Sequence, residues 1–225
     1  MMSFTPSHNP LLLHHCAQYR PRSQGGFSLV EIAIGLVIIG LVIGSFITPV
    51  SSLRDNARRA EVEQMLEDIS DAMIGFAVNN GGRLPCPATN TSNGQEALTG
   101  SNCTQEHGFV PAASLGLNGR YGDNNLLDDP WNNPYRYSFS ASSSYQICTQ
   151  AGCPNAASLI SSNIAAVILS TGGDGATVSA SVDQLENTDG DNNFVKQSLR
   201  EAGVNIFDDQ VHWISPNILT LYLTR

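Results

Sequence analysis

Between Ile32 and Leu53 the chain carries no charged residue. A hydrocarbon core takes about 20 apolar residues as a helix, so the run is long enough to span one. Isoleucine, valine and leucine dominate it, with Gly35, Gly40 and Gly44 interspersed. Glycines disfavour soluble helices but are common where helices approach closely in lipid. The run is longer than the apolar region of a secretory signal, and only Ile43-Gly44-Ser45 offers a small-residue cleavage site. Glu31 stands at its head. A carboxylate in such a place costs a few kcal/mol or more, which marks it as functional.

The residues before the run sharpen this. Gly25-Gly26-Phe27-Ser28-Leu29-Val30-Glu31 resembles the processing and methylation signature of type IV prepilins and type II secretion pseudopilins. The resemblance implies cleavage after Gly26 by a prepilin peptidase, N-methylation of the new terminus at Phe27, and a glutamate at the fifth mature position, Glu31. It also implies an inner-membrane anchor with the C-terminal domain in the periplasm. The partners it implies are the peptidase/N-methyltransferase, other pilins or pseudopilins, and an inner-membrane assembly platform. A buried carboxylate is tolerated when paired with a cation. Glu31 of one subunit is therefore expected to meet the Phe27 amine of a neighbour and set the axial register. Residues 1–26 read as the leader, 27–52 as the transmembrane and filament-core helix, and 53–225 as a periplasmic globular domain. His8, His14, His15 and Cys16 suggest a metal cluster only superficially, since all four lie in the leader.

The net charge of -9 and the pI of about 4.8 argue against general nucleic-acid binding, because an acidic body repels phosphate. Of the five cysteines, four follow the apolar run, at spacings unlike a zinc site. By proximity Cys86–Cys103 and Cys148–Cys153 are the expected disulfides, although four cysteines allow three connectivities.

Pro49 is expected to loosen the helix without ending it. Beyond it, Val62, Met65, Leu66, Ile69, Met73, Phe76 and Ala77 recur at steps of three and four, which predicts an amphipathic helix over 53–78. Glu61, Glu63, Glu67, Asp68 and Asp71 occupy much of its other face. Asn79-Asn80-Gly81-Gly82 and Pro85 supply the stop.

Residues 88–108 read as a loop with little regular structure. Strands are expected at Tyr135–Phe139, where aromatic and polar residues alternate, at Tyr145–Cys148, and at the compact apolar run Ile164–Leu169. Val211–Ser215 and Ile218–Thr224, separated by Pro216-Asn217, suggest a terminal hairpin. The expected class is α+β. The resemblance implies a pilin fold, with the long helix on a four- to five-stranded antiparallel sheet.

Asp129-Pro130-Trp131-Asn132-Asn133-Pro134-Tyr135 resembles the Asp-Pro-Trp-Gly-Asn-Pro-Tyr segment of the major type II secretion pseudopilin, with Asn132 where glycine is usual. Ser170-Thr171-Gly172-Gly173-Asp174-Gly175 is similar to a second segment of that protein, whose following acidic loop binds calcium. The stretch from Gly172 to Asp209 is long for a structureless loop. Its Asp189-Gly190-Asp191-Asn192-Asn193 places oxygen side chains at alternate positions, suited to a hard cation. Asp174, Asp189, Asp191 and Asn193 are the candidate calcium ligands, against the alternative of a solvated acidic loop.

No nucleophile elbow, phosphate loop or His-Glu-x-x-His pattern is present. The expectation is a non-enzymatic structural subunit, a pseudopilin or minor pilin of a type II secretion pseudopilus or type IV pilus. The alternative is a tip-located binding module of the same architecture, gripping a surface or a secretion substrate.

Overall fold

The computed structural model describes residues 26, 28–142, 144–175, 181–200 and 206–224, and of residues 45–52 only the helical backbone. The chain divides into two compact units, Met1–Val50 and Ser51–Arg225.

Helix α1, Leu29–Asn79, runs unbroken through the position of Pro49. In the second unit Val62, Leu66, Ile69, Met73 and Ala77 are fully buried, as the three-and-four spacing requires. Met65 and Phe76 are only half-buried, and the Arg83 guanidinium lies 5.3 Å from the Phe76 ring centroid. The helix ends where Gly82 N–H bonds to the Ala77 carbonyl at 2.8 Å. Gly81 and Gly82 both have positive φ, which costs glycine little. The Asn79 and Asn80 amides satisfy two of the last carbonyls.

After α1 come the short strands β1 (Leu98–Thr99), β2 (Asn102–Cys103) and β3 (His107–Phe109), then helix α2 (Ala112–Leu115). Strands β4 (Arg120–Tyr121) and β5 (Leu127–Asp128) flank a turn at 123–125. Next are β6 (Arg136–Phe139), β7 (Tyr145–Cys148), β8 (Leu159–Ile164) and β9 (Ala166–Ser170). Helix α3 (Val182–Glu186), β10 (Asn193–Val195), β11 (Gln210–Ile214) and α4 (Pro216–Leu223) complete the chain. The class is α+β, a long N-terminal helix followed by an antiparallel sheet.

That sheet has the order β11-β9-β6-β3, with every pair antiparallel. A second sheet, β10-β7-β8, includes one parallel pair, β10 with β7. All five residues of β9 are buried, and they alternate between two cores. Ala166 and Ile168 join Tyr135, Tyr137 and Ile214 against the α1 stripe. Val167 and Leu169 join Tyr145, Ile147, Ile164, Phe194 and Val211. A strand covered on both faces reads as a continuous apolar run, because neither parity faces water.

Four expectations need correction. Ile164–Leu169 is not one strand: Ile164 closes β8, and the chain changes sheets at Ala165, whose N–H bonds to the Ile214 carbonyl at 3.0 Å. The terminal hairpin is replaced by β11 followed by α4. Ser215 caps that helix by accepting from Ile218 N–H at 3.4 Å, and Pro216 occupies the first turn, where its fixed φ suits a helix. A two-residue hairpin would need positive φ, which proline cannot adopt. Residues 88–108 hold β1, β2 and β3 rather than bare loop, and 172–209 holds α3 and β10. The sheet against α1 has four antiparallel strands, as expected, and the remaining strands form the second, mixed sheet and two short hairpins beside it.

Candidate functional site

Two regions carry the sequence-marked residues. At the start of α1, Ser28 acts as the cap: its Oγ accepts from Glu31 N–H at 3.3 Å, and its carbonyl accepts from the same N–H at 3.0 Å. Glu31 thus sits in the first turn, where the helix dipole favours a carboxylate. Leu29, Val30, Ile32, Ile34, Leu36, Val37, Ile38, Ile39, Leu41, Val42 and Ile43 are all exposed by half or more. An apolar surface around the whole circumference of a helix requires lipid or neighbouring helices to cover it. Among the described residues no helix is long and apolar enough to cross a membrane. The side chains of 45–52, inside the uncharged run, lie outside that description, as do Phe27 and residues 1–25; Gly26 is described and exposed.

The second region lies beyond the antiparallel sheet. Asp129 is fully buried at the head of the Asp-Pro-Trp turn. Its Oδ1 accepts from Trp131 N–H and Asn133 N–H, both at 2.9 Å, and its Oδ2 accepts from Ser170 Oγ at 2.6 Å. Burial pushes its carboxyl above the usual range, and the Ser170 hydrogen bond pulls it back. Asn132 takes the left-handed conformation, φ 68°, which explains why glycine suits that position and asparagine is tolerated. Asn133 Nδ2 reaches the Gly172 carbonyl at 2.7 Å, joining the two segments that the sequence singled out separately.

Six acids of 172–209 fall into two groups. Glu186, Asp189 and Asp191 bring carboxylate oxygens within 4.8 Å of one another, an acidic trio able to take an ion. Asn193 stands beside them, donating from N–H at 2.6 Å and from Nδ2 at 3.0 Å to Asp191. Asp174 does not belong to the trio. It lies with Asp208 across the amide of Gln184, which donates to Asp174 Oδ1 at 3.3 Å and to Asp208 Oδ1 at 2.6 Å. Burial first, and the neighbouring Asp208 second, raise Asp174 to about 6. Adjacent Asp209 is buried, its Oδ2 accepting from Asn187 Nδ2 at 2.7 Å; burial lifts it to about 7.

Glu186, Asp208 and Asp209 thus join the picture without having been chosen as ligands from the sequence. A signal for the first was present. Ser181-Val182-Asp183-Gln184 is a capping box, with both reciprocal bonds formed, and it starts the helix that carries Glu186.

The four cysteines beyond α1 are joined as Cys86–Cys103 and Cys148–Cys153. The first bond ties the segment that follows α1 to β2; the second closes a small loop after β7. Gly152 N–H in that loop donates to Glu186 Oε1 at 2.7 Å and Ala151 N–H to Asp183 Oδ1 at 2.8 Å, so the loop and α3 support each other.

Residues 21–47 match a known family, the prokaryotic N-terminal methylation motif. No curated protein and no solved structure matches the chain.

Proposed function

From the N-terminal methylation motif of type IV pilin-like proteins that this chain carries at residues 21–47, we propose that it is a membrane-anchored structural subunit, a pseudopilin or minor pilin, assembled into a filament through α1. The motif implies processing by a prepilin peptidase and a membrane or pilus location, and proteins of this kind are typically structural rather than enzymatic. The observation that carries the reading is the motif in register with an apolar helix whose sides are uncovered from Leu29 to Ile43.

In this reading the peptidase cuts after Gly26 and methylates Phe27. The free amine of Phe27 then pairs with Glu31 of a neighbouring copy as the helices leave the membrane. Apolar surfaces slide past each other without preference, so one desolvated ion pair fixes their stagger. The platform and the other pilins meet this same helix. A pilin fold is supported by a long helix whose second half lies on an antiparallel sheet. The secretion branch is favoured by the Asp129 turn, which is built around a buried carboxylate. The tip-module reading draws support from the open cleft described below.

Two experiments test this. Mass spectrometry of the protein purified from its own membranes should find a first residue of N-methylated Phe27. A terminus anywhere else removes the proposal. In a strain producing Glu31→Ala, the protein should still reach the membrane but enter sheared filaments at least about tenfold less, as expected when a buried charge loses its partner. Incorporation at the wild-type level would show that Glu31 does not set the stagger.

The acidic trio supplies only oxygen donors, the set that calcium prefers, and in the proposed site Asn193 stands alongside Glu186, Asp189 and Asp191. Titration of the detergent-solubilised chain should give calcium binding in the range 10⁻⁴–10⁻³ M, typical of exposed extracellular sites. Asp189→Asn with Asp191→Asn should abolish it, and absence of heat at millimolar calcium would remove the ion from this reading.

A further inference from the structure

A cleft of about 500 Å³ opens beside β4 and β5. That volume falls within the roughly 300–1,000 Å³ of small-ligand sites. Arg120 and Tyr121 of β4, Asp123 and Asn124 of the following turn, Asp128 of β5 and Asn132 of the Asp-Pro-Trp turn line it.

Two of these groups are fixed by other parts of the domain. Arg120 donates to the Asp129 carbonyl at 3.0 Å and faces Glu61 at 3.6 Å. The Tyr121 hydroxyl donates to the Leu117 carbonyl at 2.5 Å. Asp128 is seated against Gly122, where any Cβ would collide with its carboxylate. The remaining polar groups are uncommitted. Among the described residues, the side chains of Asn90, Asp123, Asn124, Asp128 and Asn132 make no hydrogen bond.

The backbone adds a second observation. Asn124 and Asn132 are both left-handed, at φ 57° and 68°. Glycine adopts that conformation without strain, whereas a residue with a Cβ is held there at a cost of about 1 kcal/mol. Asparagine tolerates this conformation better than other residues with a Cβ, and Asn93, Asn125 and Asn163 adopt it as well; at Asn124 and Asn132 the amide also lines the cleft.

The lining also selects the chemistry of an occupant. Asp123 and Asp128 outnumber Arg120, so an anion is repelled. Amides both donate and accept, and carboxylates accept strongly from hydroxyls. Tyr121 and Pro134 offer apolar surface at the same cleft. Hydroxyl groups, which donate and accept, together with a C–H face for the ring, complement that set.

We propose that this cleft is a binding site for a neutral, polyhydroxylated sugar, with Asn124 and Asn132 as specificity-determining residues. The inference goes beyond the filament reading and does not depend on it.

The test uses the full chain in a detergent without a sugar headgroup. Ligand-observed NMR is run against neutral glucose, galactose and N-acetylglucosamine oligosaccharides, with a uronate oligosaccharide and a diamine as charged controls. At least one neutral oligosaccharide should receive magnetisation. The double variant Asn124→Gly, Asn132→Gly should weaken that binding at least about tenfold, the equivalent of one or two net hydrogen bonds. Its melting temperature should hold or rise, because glycine relieves the left-handed positions; this separates lost recognition from lost fold. Absence of binding by every neutral oligosaccharide, binding by the charged probes alone, or equal affinity in the double variant would each overturn the proposal.

Discussion

Replacing Asp129 by alanine is expected to destabilise the second unit by about 3–5 kcal/mol, since hydrogen bonds to a charged group contribute roughly 1.5–3 kcal/mol each. Three donors converge on this one buried carboxylate: the N–H groups of Trp131 and Asn133 and the Ser170 hydroxyl. Alanine leaves all three without their acceptor and opens a small void. Burial already holds the carboxyl above its usual range, which keeps the loss below a simple sum of three bonds. Asp129→Asn retains an oxygen for the two N–H groups and turns an amide toward Ser170, so it should lose less. Urea titration of the purified chain, followed by tryptophan fluorescence, reads the difference at constant slope. A loss under about 1 kcal/mol for the alanine variant would mean that water replaces the carboxylate without penalty.

Asp209→Asn should have the opposite sign above neutrality. Asp209 is buried, and its folded carboxyl is raised from 3.8 to about 7, by burial first. Asp208 and Asp174 push it further up; Arg136 and the Asn187 amide pull it down. The folded chain therefore keeps this proton up to about pH 7, while the unfolded chain releases it near pH 4. Between those values the folded state binds more protons than the unfolded state. Stability accordingly falls as pH rises through this window and levels off above it. Asn187 Nδ2 can donate to an asparagine oxygen as it does to the carboxylate. The asparagine variant should match wild type near pH 4 and exceed it at pH 8 by about 2–4 kcal/mol, at 1.36 kcal/mol per pK unit. Melting curves at the two values decide it. A wild type equally stable at both, or a variant less stable at pH 8, would show that Asp209 is charged at no cost. Asp174, raised to about 6 but only half-buried, bends the profile in the same direction by a smaller, screened amount.

The α1 stripe was legible in the sequence because its signal is local: one period, repeated from Val62 to Ala77, with an asparagine-glycine stop. The Asp-Pro-Trp segment was legible as a resemblance, although nothing in the string reveals that Asp129 reaches Ser170. The acids of 172–209 were harder to place. Their grouping depends on β10 lying parallel to β7, a pairing between distant segments that leaves no periodicity behind. Helix α3 spans five residues, too few for a 3.6-residue period to emerge, so only its capping box marked it. Helix α4 resembles a strand in the sequence because Ile218, Leu221 and Leu223 fit a strand about as well as a helix; the Ser215-Pro216 start distinguishes them.

The burial of the α1 stripe under β6, β9 and β11 also constrains the life of the nascent polypeptide. Met73 and Ile69 come off the ribosome long before Ile214, the last residue of their shared core. Until Ile214 has been made, the apolar flank has no shelter of its own and is a substrate for aggregation or for a holding chaperone. Translation products ending short of Gln210 should therefore be protease-sensitive throughout, rather than trimmed versions of a finished domain.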